Sequence, residues 1–192
     1  MHELFLLIYR QPLHRIIFWT LILAFLWGYV AFREKNSLRW RLANGILFAG
    51  IVAVIFYMTV YTRGESATEA ILIPFQSFQE AKIQPELYRS MLMNVFLFVP
   101  VGLSLPFVLD KRWLSIVVTV FGAFLCSASI EYLQYRFALG RCEVDDVIMN
   151  TLGAAVGCLA YCLFLNWECL VLPGFRLLVE VIHRVVKKLQ KS

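Results

Sequence analysis

Five long windows without charged residues constrain this chain more than any other feature of its sequence. Each runs for 17 to 21 residues without Asp, Glu, Lys or Arg; the windows are Ile16–Phe32, Leu42–Thr62, Ser90–Leu109, Trp113–Ile130 and Val147–Trp167. A helix needs roughly 20 residues to cross a hydrocarbon core of about 30 Å. Because backbone groups in lipid must be satisfied within their own segment, each window is expected to be a transmembrane helix.

The composition agrees with a membrane protein. Of the 192 residues, 60% are hydrophobic and 16% are charged, whereas about a quarter of a typical soluble domain is charged. The windows are continuously apolar instead of alternating, which disfavours membrane β-strands. We therefore predict an all-α, multi-pass protein of the cell membrane with about five transmembrane helices.

The C-terminal tail is predicted to be a separate amphipathic helix. After Pro173-Gly174, apolar residues recur near the helical period from Phe175 to Leu189, with basic residues on the opposite face. Such a helix is expected to rest on lipid headgroups. The chain thus divides into a transmembrane bundle, residues 1–173, and a basic cytoplasmic tail, residues 174–192. The net charge of +5 is explained by the tail and the loops, so no nucleic-acid partner is expected.

The basic residues also predict an orientation. With five spans, the loops 33–41 and 110–112 share one side with the tail, and that side holds 11 basic residues against four acids. The other side holds seven basic residues against nine acids. Because Lys and Arg concentrate in cytoplasmic loops, the N-terminus is predicted outside and the C-terminus inside. Arg10 and Arg15, before the first window, favour the opposite placement of that segment.

Polar side chains cluster where the fourth and fifth windows meet. Glu131 and Gln134 lie one helical turn apart, as do Asp146 and Asn150. The predicted topology places eight polar residues near the outer interface: Arg63, Asn94, Glu131, Gln134, Arg141, Asp145, Asp146 and Asn150. Ionisable residues in the apolar slab are costly and by default mark a functional site. We take these eight as candidate binding residues.

Several short patterns in this region resemble those of the VanZ-like family. They are Leu72-Ile73-Pro74-Phe75, preceded by Arg63; Asn94-Val95-Phe96-Leu97-Phe98-Val99-Pro100-Val101-Gly102; Glu131-x-x-Gln134; and Arg141 followed by Asp145-Asp146-Val147-Ile148-x-Asn150-Thr151-x-Gly153. The resemblance covers roughly Tyr61 to Tyr161, about half of the chain. One departure is Ile71, where the family often carries Asn.

The resemblance implies a link to glycopeptide resistance, since the founding member is an accessory protein associated with low-level teicoplanin resistance. No reaction is securely assigned to the family. Teicoplanin differs from vancomycin by an acyl tail, so a membrane protein with an outer-leaflet site would be a physically sensible countermeasure.

The first interpretation of the polar cluster is a binding or modulating site. Arg63 and Arg141 would receive a phosphate or carboxylate by bidentate bonds. The spans would hold the acyl or polyprenyl chain of a membrane lipid, a lipid-linked cell-wall intermediate or a lipoglycopeptide antibiotic.

Two other interpretations stay open. In an intramembrane enzyme, Glu131 with Asp145 or Asp146 would divide acid and base roles, and the carboxylates with Asn150 would be able to hold Mg²⁺ or Ca²⁺. No cofactor motif appears, and no metal site is assigned. In a structural role, the polar groups would only lock helices together. In every case we expect the last two spans to form a hairpin with Glu131 close to Asp146 or Arg141, and Arg141 to be its charge partner.

The predicted topology is open to a direct test. A cysteine introduced at Gln79 should react with a membrane-impermeant thiol reagent in intact cells, and one at Arg39 should react only after the membrane is opened. The opposite pattern would show that the orientation is inverted.

Overall fold

A computed structural model describes residues 26, 37–61, 63, 69–84, 86–109 and 112–166 of the chain. The predicted first span, Ile16–Phe32, lies outside the described residues except for Leu26, and the predicted tail, 174–192, lies outside them entirely.

The described residues form five helices and two short strands. In chain order they are α1 (Leu38–Phe56), which a π-helical turn at Tyr57–Tyr61 continues, β1 (Glu69–Ile71), α2 (Gln76–Glu80), α3 (Glu86–Val108), α4 (Arg112–Arg136), β2 (Arg141–Glu143) and α5 (Val144–Leu165). Four helical segments are long and apolar enough to cross a membrane: Leu38–Tyr61, Glu86–Val108, Trp113–Arg136 and Val144–Leu165. They coincide with the last four charge-free windows, which confirms the predicted all-α membrane class.

The closest packing in the bundle is between α3 and α5. A Cβ added at Gly153 would overlap the backbone carbonyl of Val95, and one at Gly157 would overlap that of Val99. From the other side, a Cβ on Gly102 would overlap the backbone of Ala154. Small residues at such a seam let two helix backbones approach closely. The face of α5 that carries Gly153 and Gly157 therefore packs directly on α3.

An apolar layer fills the middle of the bundle. Buried residues from all four long helices meet there: Ile55, Phe98, Val101, Ala123, Ile130 and Ala154. A second buried cluster, toward the end where α3 and α5 finish, consists of Trp40, Leu103, Phe107 and Tyr161.

We call the end of the bundle that carries Arg63 and residues 69–84 and 137–143 the site end. There β1 and β2 pair in parallel, with Glu69 opposite Arg141 and Ile71 opposite Glu143. Ile71, the departure from the family pattern, is buried in this pairing. The sequence did not predict the strands, because three residues are too few for an alternating pattern to show. Their pairing places β1 against the connection between α4 and α5.

Candidate functional site

Asp145 holds the loop that enters α2. The backbone N–H of Phe75 donates to Oδ1 of Asp145 at 2.6 Å, and that of Ser77 donates to Oδ2 at 2.8 Å. The Asp145 side chain is 1% exposed. Phe75 has φ 65°, a left-handed conformation that residues with a Cβ rarely adopt, and the two hydrogen bonds keep it there. Both oxygens of Asp145 thus accept hydrogen bonds from backbone donors, and this carboxylate anchors the loop.

Arg141 is the centre of an ion-pair network. Its Nη2 donates to Oε2 of Glu80 at 3.1 Å, while Nε lies 3.4 Å from carboxylate oxygens of both Glu69 and Glu143. The expected ion pair with Glu131 was wrong. The parallel pairing of β1 and β2 sets Arg141 opposite Glu69, which directs its guanidinium toward β1 and α2 instead of α4.

The network shifts the pKa of its members in the stabilising direction. The hydrogen bond from Arg141, and then one from a glutamine of α2, lower the pKa of Glu80. Burial by itself would lower the pKa of Arg141, but the hydrogen bond to Glu80 and the surrounding carboxylates raise it overall. Arg141 is therefore shared by three carboxylates, although its Nε has no hydrogen-bond partner within the described part of the chain.

Glu131 is a buried carboxylate that is only partly satisfied. It is 5% exposed, and its Oε2 accepts a hydrogen bond from the backbone N–H of Glu143 at 2.9 Å. Within the described part of the chain, its second oxygen accepts no hydrogen bond. Asp146, Glu143 and Arg63 are near enough to act on it electrostatically. The predicted closeness of Glu131 and Asp146 is thus confirmed.

Asp146 brings together residues from three segments of the chain. Its carboxylate is hydrogen-bonded to the side chain of Asn94 on α3 and is within electrostatic reach of Arg63. The Arg63 side chain is exposed and passes Gly140, where an added Cβ would lie 3.4 Å from its Nη1. Gly140 has φ 130°, which also favours glycine. Four of the eight candidates, Arg63, Asn94, Glu131 and Asp146, therefore converge.

Asn150 and Gln134 join helices to one another. Nδ2 of Asn150 donates to Oγ of Ser127 at 2.8 Å, which links α5 to α4. Nε2 of Gln134 donates to the carbonyl of Thr59 at 3.0 Å, which links α4 to the π-helical turn. Both side chains are at least nine-tenths buried. These two residues do what the structural interpretation expects of them.

A groove of about 440 Å³ opens at the site end between α4, α5 and the two strands. We call it the Glu131 groove, since Glu131 and Glu143 supply the carboxylates on its wall. The rest of the wall is largely apolar or aromatic; it consists of Ala70, Leu72, Ala128, Tyr132, Tyr135, Cys142, Val144 and Val147. Tyr132 is 63% exposed and Tyr135 is 50% exposed. The groove combines a long apolar wall with one buried carboxylate.

The sequence did not reveal that Glu69, Glu80 and Glu143 are the partners of Arg141. It also did not reveal Ser77, whose Oγ donates to Oε2 of Glu143 at 2.7 Å. Three of these four lie more than 60 residues from Arg141 along the chain, so no local pattern connects them. Among the described residues, no group of three His, Cys, Asp or Glu side chains converges as a metal site. The Mg²⁺ or Ca²⁺ set considered from the sequence is dispersed, because Asp145 faces α2 and Asn150 faces Ser127.

The role of Asp145 predicts a stability effect that its neighbour should not share. In Asp145→Asn, one backbone N–H would face an amide N–H₂, so the free energy of unfolding should fall by about 1–3 kcal/mol. Asp146→Asn is the matched control, because an amide can still hydrogen-bond to Asn94. Melting temperatures of the purified variants in one detergent measure the difference. Equal melting temperatures for Asp145→Asn and the wild type would contradict this assignment.

Comparison with known proteins identifies a family that this chain matches. The family model for VanZ/LLP1 matches residues 45–165. Protein VanZ of Enterococcus faecium is 32% identical to this chain over 74 residues, which cover 38% of the chain and 45% of that relative's length. No solved structure matches the chain. The family match includes most of α1, where the sequence offered no motif. Since the match covers more than half of the chain, the protein belongs to the VanZ/LLP1 family.

Proposed function

We propose that the Glu131 groove binds an amphiphilic molecule of the cell envelope from the outer leaflet, and that this protein thereby contributes to teicoplanin-type resistance. The ligand would be a membrane lipid, a lipid-linked cell-wall intermediate or a lipoglycopeptide. The observation that carries the proposal is the groove itself, which joins an apolar wall to a buried carboxylate at the end of a membrane-spanning helix.

The shape and lining of the groove suit a headgroup with an attached chain. Its volume of about 440 Å³ lies within the range of about 300–1,000 Å³ that is typical of ligand pockets. Leu72 and Val147 offer apolar contacts to a chain. Tyr132 and Tyr135 belong to the aromatic type that concentrates at membrane interfaces. Along the helix axis, Glu131 lies about 8 Å from the last residue of α4, since an α-helix rises 1.5 Å per residue. A headgroup would therefore meet it just inside the apolar slab.

The outer-leaflet assignment is supported by the basic residues. The end opposite the site carries Arg39 and Arg41, and the predicted topology adds the rest of the basic excess there. Positive residues concentrate on the cytoplasmic side, which leaves the site end facing outward. An acylated glycopeptide or a lipid-linked cell-wall precursor would meet the protein on that side.

The contacts divide the eight candidates into two groups. Gln134, Arg141, Asp145 and Asn150 are engaged in contacts that join helices and loops. Arg63, Asn94, Glu131 and Asp146 remain for the ligand. The sequence suggested that Arg141 would receive an anionic headgroup; we give it instead the task of holding the loops that border the groove.

A second candidate function, an intramembrane enzyme, is favoured by one observation. Glu131 and Asp146 are neighbours with unlike surroundings, since a backbone N–H serves Glu131 while Asn94 and Arg63 serve Asp146. Two such carboxylates can divide acid and base roles. A lipid-linked substrate in the groove would bring its headgroup to them. Turnover of the bound lipid, measured by mass spectrometry, would distinguish this function from binding alone.

The binding proposal predicts that nearly isosteric amide variants are inactive. Glu131→Gln and Asp146→Asn should lose teicoplanin protection as completely as the alanine variants, because the amides keep the shape but remove the charge that the ligand meets. Susceptibility of cells expressing each variant is the measurement, together with membrane abundance and melting temperature. Glu86→Gln is the matched control, since Glu86 is an exposed acid at the same end of the bundle.

If both amide variants protected cells as well as the wild type, the polar groups would serve only to hold helices together. A loss of protection accompanied by a loss of abundance would also count against a binding role, because a folding defect would then explain it.

A further inference from the structure

We propose that the Glu131 groove selects an amphiphile whose headgroup carries a primary ammonium, in preference to one that carries a phosphate or a carboxylate. This inference rests on the proposed function of the groove and specifies the chemistry of its ligand. It replaces the expectation that two arginines would receive an anionic headgroup.

The first reason is the charge of the groove lining. Of the described residues that line the groove, Glu131 and Glu143 carry carboxylates, and no Lys, Arg or His stands among them. Glu143 is already paired with Arg141. Arg63 acts on Glu131 electrostatically, but its side chain is exposed. The described lining of the groove therefore offers a headgroup the carboxylate of Glu131 and no basic side chain.

The second reason is the geometry of Glu131. Its side chain is 95% buried, yet it forms part of the groove wall, and one of its oxygens has no hydrogen-bond donor among the described residues. A carboxyl group buried without a cation tends to hold its proton, whereas a cation beside it favours the ionised form. The ionised form can accept about four hydrogen bonds. An ammonium group would supply both the opposite charge and up to three donors. A phosphate would supply neither and would place like charges in contact.

The third reason comes from Cys142, whose thiol lines the same groove. Burial, and then the negative charges of Glu131, Asp146 and Glu143, raise the pKa of Cys142. A thiolate at this position is thus disfavoured by the same carboxylates that would meet a ligand. Cys142 can therefore report on the occupancy of the groove, because the carboxylates near it disfavour an anion and favour a cation.

Protection of Cys142 from a neutral maleimide tests the proposal on the full-length native chain. The protein is held in a neutral maltoside detergent, and modification of the peptide containing Cys142 is quantified by mass spectrometry. Dodecylamine, dodecyl phosphate and dodecanol serve as probes with one chain and three headgroups. A Gln79→Cys variant reports any effect of the probes on an exposed thiol away from the groove wall.

We expect dodecylamine to protect Cys142 at a concentration at least about tenfold lower than dodecyl phosphate, as a charge-assisted hydrogen bond would provide. Glu131→Gln should remove this preference, whereas Glu131→Asp, which keeps the charge, should retain a part of it. Dodecanol should protect weakly in all three proteins, because it uses only the apolar wall.

Two results would contradict the account in distinguishable ways. Equal or better protection by dodecyl phosphate would overturn the ammonium preference and leave the groove as a binding site. A lack of protection of Cys142 by all three probes would overturn the proposed function of the groove and the ammonium preference with it.

Discussion

The close approach of α3 and α5 sets the depth at which the polar side chains of the site lie. Three glycines leave no room for a side chain between the two backbones, so the register of these helices is fixed by contact. That register places Asn94 of α3 beside Asp146 of α5. Asn150, one turn further along α5, then reaches Ser127 on α4. The position of α4, and with it Glu131, follows from this packing.

The loops at the site end depend on two charged residues that face away from the groove. Asp145 holds the entry to α2 through two backbone N–H groups, and Arg141 joins β1, β2 and α2 through three carboxylates. With these loops fixed, Glu131 stands on the wall of the groove, and Asp146 lies within electrostatic reach of it beside Asn94.

Much of this architecture could be predicted from the sequence, because its causes are local. Long charge-free windows predict the spans, and the spacing of Asn150, Gly153 and Gly157 predicts the packed face of α5. The proximity of Glu131 and Asp146 follows from the short connection between their helices. The partners of Arg141 could not be predicted, because Glu69 of β1 and Glu80 of α2 lie 72 and 61 residues earlier in the chain. They meet Arg141 only through strand pairing.

Asp145 and Asp146 show a further limit of sequence reasoning. They are identical, adjacent and both in the first turn of α5, yet one is oriented toward α2 and the other toward α3. The direction in which the helix leaves β2 decides which carboxylate holds the loop and which one meets Asn94. Chemistry alone therefore identified both as candidates, and the three-dimensional arrangement separated them.

An experimental structure of the protein extracted with its native lipids would show directly whether the Glu131 groove is a ligand site. We expect an elongated density along Leu72, Tyr132 and Val147. It should end in a polar group about 3 Å from the Glu131 oxygen that does not bond to Glu143. A groove filled by side chains of the protein itself, with that oxygen paired to one of them, would contradict it.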